Sequence, residues 1–219
     1  MGDIKNIIFD LDSTLIDSDS IYFKGWLHAF KSKGIKIDEN IIHSLVGLSI
    51  PDSTRIISDY VESYDLALEL RSLREDYFYS CLEEDKLKMM PYAMELLVFF
   101  YENDFNISLA TSTHADKGER ILDTLQLQKF FVAKTYGDQV KNPKPHPEIY
   151  LTSLDKLDAK AENSVVIEDS LTGCTAAIKA QIPTYLVPYS EKIEVISPLV
   201  NIVSSLKDVY THFKDIHQP

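Results

Sequence analysis

Two aspartates stand two residues apart in Asn6-Ile7-Ile8-Phe9-Asp10-Leu11-Asp12-Ser13-Thr14, directly after a short apolar run. Two later stretches share that layout. Asn106-Ile107-Ser108-Leu109-Ala110 leads into Thr111-Ser112-Thr113, and Ser164-Val165-Val166-Ile167 leads into Glu168-Asp169-Ser170. Between them lies Lys144, in the proline-rich stretch Asn142-Pro143-Lys144-Pro145-His146-Pro147. Carboxylates gathered in one place repel, and buried unpaired charge is expensive, so such a set calls for a shared cation. Oxygen-only ligands favour Mg²⁺, which is bound through a few carboxylates plus substrate phosphate. A carboxylate can attack phosphorus and form an aspartyl-phosphate. A second acid two residues on can protonate the leaving oxygen and then activate water. A lysine, a threonine hydroxyl and backbone N–H groups can hold the equatorial phosphoryl oxygens. Nothing in the set suits hydride transfer or a Ser-His-Asp relay, and neither G-x-G-x-x-G nor a P-loop is present.

That chemistry requires the four stretches to meet. The run before Asp10 is too short for a helix and lacks polar alternation, so it reads as a fully buried parallel strand. The runs before Thr111 and Glu168 read the same way. Further strands are expected near Phe131-Val132-Ala133, at Thr184-Tyr185-Leu186-Val187 and at Ile202-Val203. Helices are expected over Tyr92 to Tyr101, Asp116 to Leu125, Glu148 to Leu157, around Gly173 to Ala180, and over Leu206 to Phe213. Strands alternating with helices predict an α/β fold, a doubly wound and mostly parallel sheet with right-handed crossovers. In such a sheet the functional groups sit at the carboxyl ends of the strands, on one edge. Three prolines within five residues make the Lys144 loop stiff and extended.

From about Ile21 to Leu87 the pattern is helical only. Tyr22, Trp26, Leu27 and Phe30 recur at helical spacing before Gly34. Ile41 to Val46 forms another apolar stripe, Pro51 fits a first helical turn, and a long helix runs through Leu66, Leu70, Leu73, Tyr77 and Phe78 to Leu82. The expected domains are therefore an α/β core over 1–16 and 90–219 and a helical cap over 17–89. The cap aromatics are expected to form its core, and Arg55, Arg71 and Arg74 to lie on its solvated face.

The 219 residues suffice for one large domain or one carrying an insert, and 45% hydrophobic content can bury a proper core. A formal net charge of −12 argues against a nucleic-acid polymer and an anionic membrane surface as partners. A small anionic substrate stays compatible, because a metal and one or two cations reverse the local field. Cys81 and Cys174 match no metal or redox spacing and read as buried free thiols of a reducing compartment. Met1-Gly2-Asp3-Ile4-Lys5-Asn6 carries no apolar signal region, and no apolar run nears membrane-spanning length. A cytoplasmic protein is expected, with a monomer favoured.

Asp10-Leu11-Asp12-Ser13-Thr14, Ala110-Thr111-Ser112, Lys144-Pro145-His146-Pro147 and Ile167-Glu168-Asp169-Ser170, in that order, resemble the motifs of the haloacid dehalogenase superfamily. Within it the chain is most similar to the Mg²⁺-dependent β-phosphoglucomutase-like phosphatases and mutases. The resemblance spans nearly the whole chain, cap included. It implies Asp10 as nucleophile and Asp12 as general acid/base. It implies Thr111, Ser112 and Lys144 as phosphoryl-binding groups, with Lys144 also offsetting the charge of Asp10. Asp10, Asp169 and the backbone carbonyl of Asp12 would hold Mg²⁺, with Glu168 as an additional metal contact. Ser13 departs from the glycine commoner at its place. Asp12 argues for phosphoryl chemistry, since the dehalogenases of the superfamily lack an acid there. His146, beside Lys144, reads as structural.

By the same resemblance the cap chooses the substrate. The mutases carry a histidine at the cap hinge and basic residues in a cap loop. This chain has Tyr22 at the former, and Val46 and Ile50 in the loop Leu45-Val46-Gly47-Leu48-Ser49-Ile50-Pro51-Asp52. The expected function is hydrolysis of a small phosphate monoester. A sugar phosphomutase is the alternative, and an idle phospholigand-binding scaffold is the alternative outside enzymes.

Overall fold

The computed structural model describes residues 4–46, 48–189, 195 and 197–217. Met1-Gly2-Asp3 and Gly47 of the cap loop, both weighed above, lie outside the described residues. The chain divides into two compact units, residues 1–16 with 89–219, and residues 17–88.

The first unit is built on six parallel strands: β1 (Asn6–Phe9), β2 (Asn106–Ala110), β3 (Ala133–Thr135), β4 (Ser164–Glu168), β5 (Thr184–Leu186) and β6 (Val200–Ile202). They lie side by side in the order β3-β2-β1-β4-β5-β6. β1 is central and buried along its whole length, as its unbroken apolar run requires. Ile7 pairs with Ile107 of β2 on one side and with Val165 of β4 on the other. The chain leaves β1 toward β2 and β3, then crosses back to β4, so the order reverses between β1 and β4. That reversal is where open α/β sheets bind ligands, at the strands' carboxyl ends.

Helices cover both faces. α5 (Ala93–Glu102) and α9 (Leu206–His217) supply aromatic rings to one face. Phe100 meets Phe213 at 4.9 Å, Phe105 at 5.0 Å and Phe9 at 6.0 Å between ring centroids. On the other face Ile149, Tyr150 and Leu154 of α7 (Glu148–Leu157) pack with Ala176 and Ala177 of α8 (Leu171–Lys179) against Ile8 and Val166. α6 (Ala115–Thr124) follows β2.

Most expected elements stand within a residue or two of their places. β3 begins two residues later than the run Phe131-Val132-Ala133. A 3₁₀ turn over Gln128–Phe130 precedes it, and pairing with Ser108–Ala110 fixes its register. β4 extends one residue further than expected and includes Glu168. Ser13 takes φ +58°, which explains why glycine is commoner there. A left-handed conformation costs a side-chain-bearing residue about 1–2 kcal/mol.

The second unit, residues 17–88, is wholly helical among its described residues: α1 (Ser18–Ser32), α2 (Glu39–His43), α3 (Ile50–Val61) and α4 (Tyr64–Glu83). Each helix starts on a short polar side chain that accepts a backbone N–H: Asp17 from Ser20, Asp38 from Asn40, Ser49 from Asp52 and Ser63 from Leu66. Pro51 sits in the first turn of α3. Trp26, Phe30, Ile42, Ile57 and Leu70 form its core. Arg74 departs from the expected solvated face. It is buried, with its guanidinium 4.3 Å from the Tyr22 ring centre. Arg71 is half-buried and donates to Ser53 and Thr54, while Arg55 is exposed. No helix among the described residues is long and apolar enough to cross a membrane.

Candidate active site

Asp10 follows β1 immediately, and its N–H still continues the ladder by donating to Ile167 O at 3.0 Å. Its carboxylate is therefore delivered by a central, buried strand paired on both sides. It is only 6% exposed. Glu168, the last residue of the neighbouring β4, is fully buried beside it. Two carboxylates in that position need a cation, and Lys144 supplies it. Its Nζ donates to Asp10 Oδ1 at 2.6 Å, to Glu168 Oε1 at 2.7 Å and to Ala110 O at 3.2 Å. The Lys144–Pro145 peptide is cis.

Glu168 is engaged at both oxygens. Tyr150 of α7 donates its hydroxyl to Oε1 at 3.0 Å. Oε2 accepts from Asp169 N at 2.9 Å, Ser170 N at 2.8 Å and Ser170 Oγ at 2.9 Å. Gly173 leaves room for this carboxylate, since a Cβ there would stand 1.6 Å from Oε1. Asp169 accepts the Thr14 hydroxyl at 3.1 Å.

Charge sharing is unequal within this group. Burial pushes the Asp10 carboxyl up to about 8, against the pull of Lys144 and with the push of Glu168 and Asp12. Burial also works to raise Glu168, but Lys144 and the Ser170 donors outweigh it and hold that carboxyl below its ordinary value. Lys144 is held well above its ordinary value, because Asp10 and Glu168 outweigh its own burial. One ammonium serves two acids; Glu168, with more donors, is held low, and Asp10 takes the upward push of burial. Asp10, Glu168 and Asp169 each offer an oxygen, and the three oxygens lie within 4.8 Å of one another. An all-oxygen donor set this tight, one of its acids pushed toward its neutral form, fits a hard divalent cation.

Asp12 lies two residues further along the chain and is half-buried. Its Oδ2 accepts the Thr113 hydroxyl at 2.6 Å, while its Oδ1 is buried without a hydrogen-bond partner. Thr111 is buried at the end of β2, and its hydroxyl accepts Thr113 N at 3.1 Å. Ser112 is exposed. Gly137 packs against the Ser112 carbonyl so closely that a Cβ would stand 2.1 Å from that oxygen. The sheet edge thus brings Asp10, Lys144, Glu168 and Asp169 into direct or near contact, with Asp12 and Thr111 joined through Thr113. His146 is exposed and accepts Glu148 N. Sequence reasoning gave no role to Tyr150 or Thr113. Tyr150 is hidden inside an amphipathic helix pattern. Thr113 sits two residues past a strand end, where a hydroxyl is an ordinary turn residue.

The profile of the haloacid dehalogenase-like hydrolases matches residues 7–187. The chain belongs to that family. This haloacid dehalogenase-like hydrolase is 34% identical over 185 residues to the phosphorylated carbohydrates phosphatase of Thermotoga maritima, covering 82% of each chain. It is 28% identical over 179 residues to the validoxylamine A 7'-phosphate phosphatase of Streptomyces hygroscopicus subsp. limoneus, covering 81% of this chain and 83% of that one. Its fold is that of the β-phosphoglucomutase of Clostridium difficile, with a TM-score of 0.76 at 24% identity over 97% of this chain and 96% of the other. The haloacid dehalogenase-like enzyme described here is a phosphatase.

Proposed function

We propose that this haloacid dehalogenase-like phosphatase hydrolyses monoesters of small phosphorylated carbohydrates, with Mg²⁺, through an aspartyl-phosphate on Asp10. The observation that carries the reading is the Lys144 clamp. With Oδ1 taken by the ammonium, Oδ2 of Asp10 is the oxygen offered to phosphorus. Lys144, Thr111 and Ser112 would bind the phosphoryl oxygens, and Lys144 balances negative charge as it gathers there. Asp12 gives a proton to the leaving oxygen and takes one from the water that releases phosphate. The two named phosphatase relatives support the substrate class.

Asp10, Asp169 and the backbone carbonyl of Asp12 are the groups that would hold Mg²⁺. Glu168, with five hydrogen bonds on its two oxygens, would reach the ion through water. Bound there, Mg²⁺ offsets the charge of the phosphoryl oxygens and of Asp10. The buried free thiols of Cys81 and Cys174 support a reducing, cytoplasmic setting.

The test is turnover of p-nitrophenyl phosphate with and without Mg²⁺, for the wild type and for Asp10→Asn. The expected outcome is Mg²⁺-dependent turnover that falls by about 10³-fold or more in the variant, as loss of a nucleophile does. No turnover in the wild type, with no trapped beryllium fluoride complex, would favour a phospholigand-binding scaffold instead.

A further inference from the structure

Thr113 is fixed from three directions although it belongs to no strand or helix. Its N–H donates to Thr111 Oγ1 at 3.1 Å, and its carbonyl accepts Gly137 N at 3.0 Å. The residue before it, Ser112, packs with its carbonyl on Gly137, where any side chain would collide. The Thr113 hydroxyl is thereby aimed, and what it meets is Asp12 Oδ2 at 2.6 Å. A bond that short between a hydroxyl and a carboxylate is a strong one. Asp12 is left with inequivalent oxygens: Oδ2 is occupied, while Oδ1 is buried and has no hydrogen-bond partner. A buried carboxylate oxygen without a partner is unfavourable unless something else uses it.

We propose that Thr113 is a positioning residue for leaving-group protonation: it pins Asp12 by Oδ2 so that Oδ1 alone carries the transferable proton. The proposal rests on the phosphatase reading above. In the first step the Asp10 carboxylate oxygen bonds to phosphorus and the bond from phosphorus to the leaving oxygen breaks. That oxygen takes the proton from Asp12 Oδ1 and departs as the alcohol, leaving Asp12 ionised. In the second step water adds to phosphorus, its proton passes to Asp12 Oδ1, and the acyl-phosphate bond breaks to regenerate Asp10. The Thr113 hydroxyl keeps its own proton throughout.

A positioned acid matters most when the leaving group is a poor one. An alkoxide needs the proton as the bond breaks, whereas p-nitrophenolate leaves without it. kcat/KM reads only the steps up to loss of the leaving group. The experiment compares kcat/KM for glucose 6-phosphate and for p-nitrophenyl phosphate in wild type, Thr113→Val, Thr113→Ala and Thr113→Ser. In the valine and alanine variants the ratio of the sugar phosphate value to the aryl phosphate value is expected to fall about tenfold, part of the ~10²–10⁴ that a positioned acid supplies. Serine, which restores the hydroxyl, is expected to restore the ratio to within about twofold. Equal losses on both esters would mean that Thr113 only holds the loop, and would overturn the proposal. So would a serine variant no better than alanine. Wild type inactive on both esters would overturn the phosphatase reading, and this proposal with it.

Discussion

Lys144 joins two carboxylates that could not otherwise share a dry sheet edge. Its side chain is 5% exposed, and it contacts both Asp10 and Glu168. Removing one partner of a buried ion pair costs about 3–5 kcal/mol, because the charge left behind has no compensation. Lys144→Met nearly preserves the side-chain length and removes the charge. It is expected to lose about that much unfolding free energy in a denaturant titration at neutral pH, with turnover abolished. An unchanged midpoint would contradict the view that the ammonium holds this site together. At this scale the sequence is legible where charge and spacing speak: Asp10, Asp12, Glu168 and Asp169 are named by their types and their places after apolar runs, and Lys144 by its proline-rich loop. It is less legible for hydroxyls. Tyr150 and Thr113 differ in no local way from the core and turn residues around them, and only a long-range contact marks them. Arg74 misleads in the opposite direction, since its charge suggests solvent while the rings of Tyr22 and Trp26 bury it.

Elements set how closely these side chains meet. β1 and β4 lie next to each other, so Asp10 and Glu168 emerge at neighbouring points of one edge. α8 begins directly after Asp169, with Ser170 as its cap, accepting Gly173 N at 3.1 Å. The first turn of α8 therefore packs on the Glu168 carboxylate, and Gly173 is the position that permits it. Gly173→Ala would set a methyl 1.6 Å from Glu168 Oε1 and 2.0 Å from its Cδ. The carboxylate must then swing away from Lys144 or the helix must lift. Overpacking of this kind costs about 1–3 kcal/mol. The expected result is a drop in thermal stability and a loss of turnover of about tenfold or more, since 1 Å of misplacement can cost ~10² in rate. Leu171→Ala, at an exposed position of the same turn, serves as the control. Equal effects of the two substitutions would contradict this packing. The alternation of strands and helices is readable because β1 and β4 are built on unbroken apolar runs, which a covered parallel sheet needs. The place of β3 was not, because its three residues are too few to show a pattern and pairing with β2 decides its register.

Over the molecule as a whole, residues separated by up to 159 positions, from Asp10 to Asp169, converge because a parallel sheet sends every strand end to the same side. The acidic composition, with a net charge of −12, is compatible with an anionic substrate, since Lys144 carries a positive charge at this edge and the three acids there could hold a cation. The helical unit of residues 17–88 was legible as an insert because it holds no strand pattern, although its individual residues say little about a substrate. The proposed mechanism turns on one atom, the Asp10 carboxylate oxygen that would bond to phosphorus. Acid quenching of the enzyme during turnover, followed by peptide mass spectrometry, reads that bond directly. The predicted result is one added phosphoryl group on the peptide containing Asp10, absent in Asp10→Asn and lost on mild alkaline treatment. Steady turnover with Asp10 unmodified, or a phosphoryl group on any other residue, would contradict it.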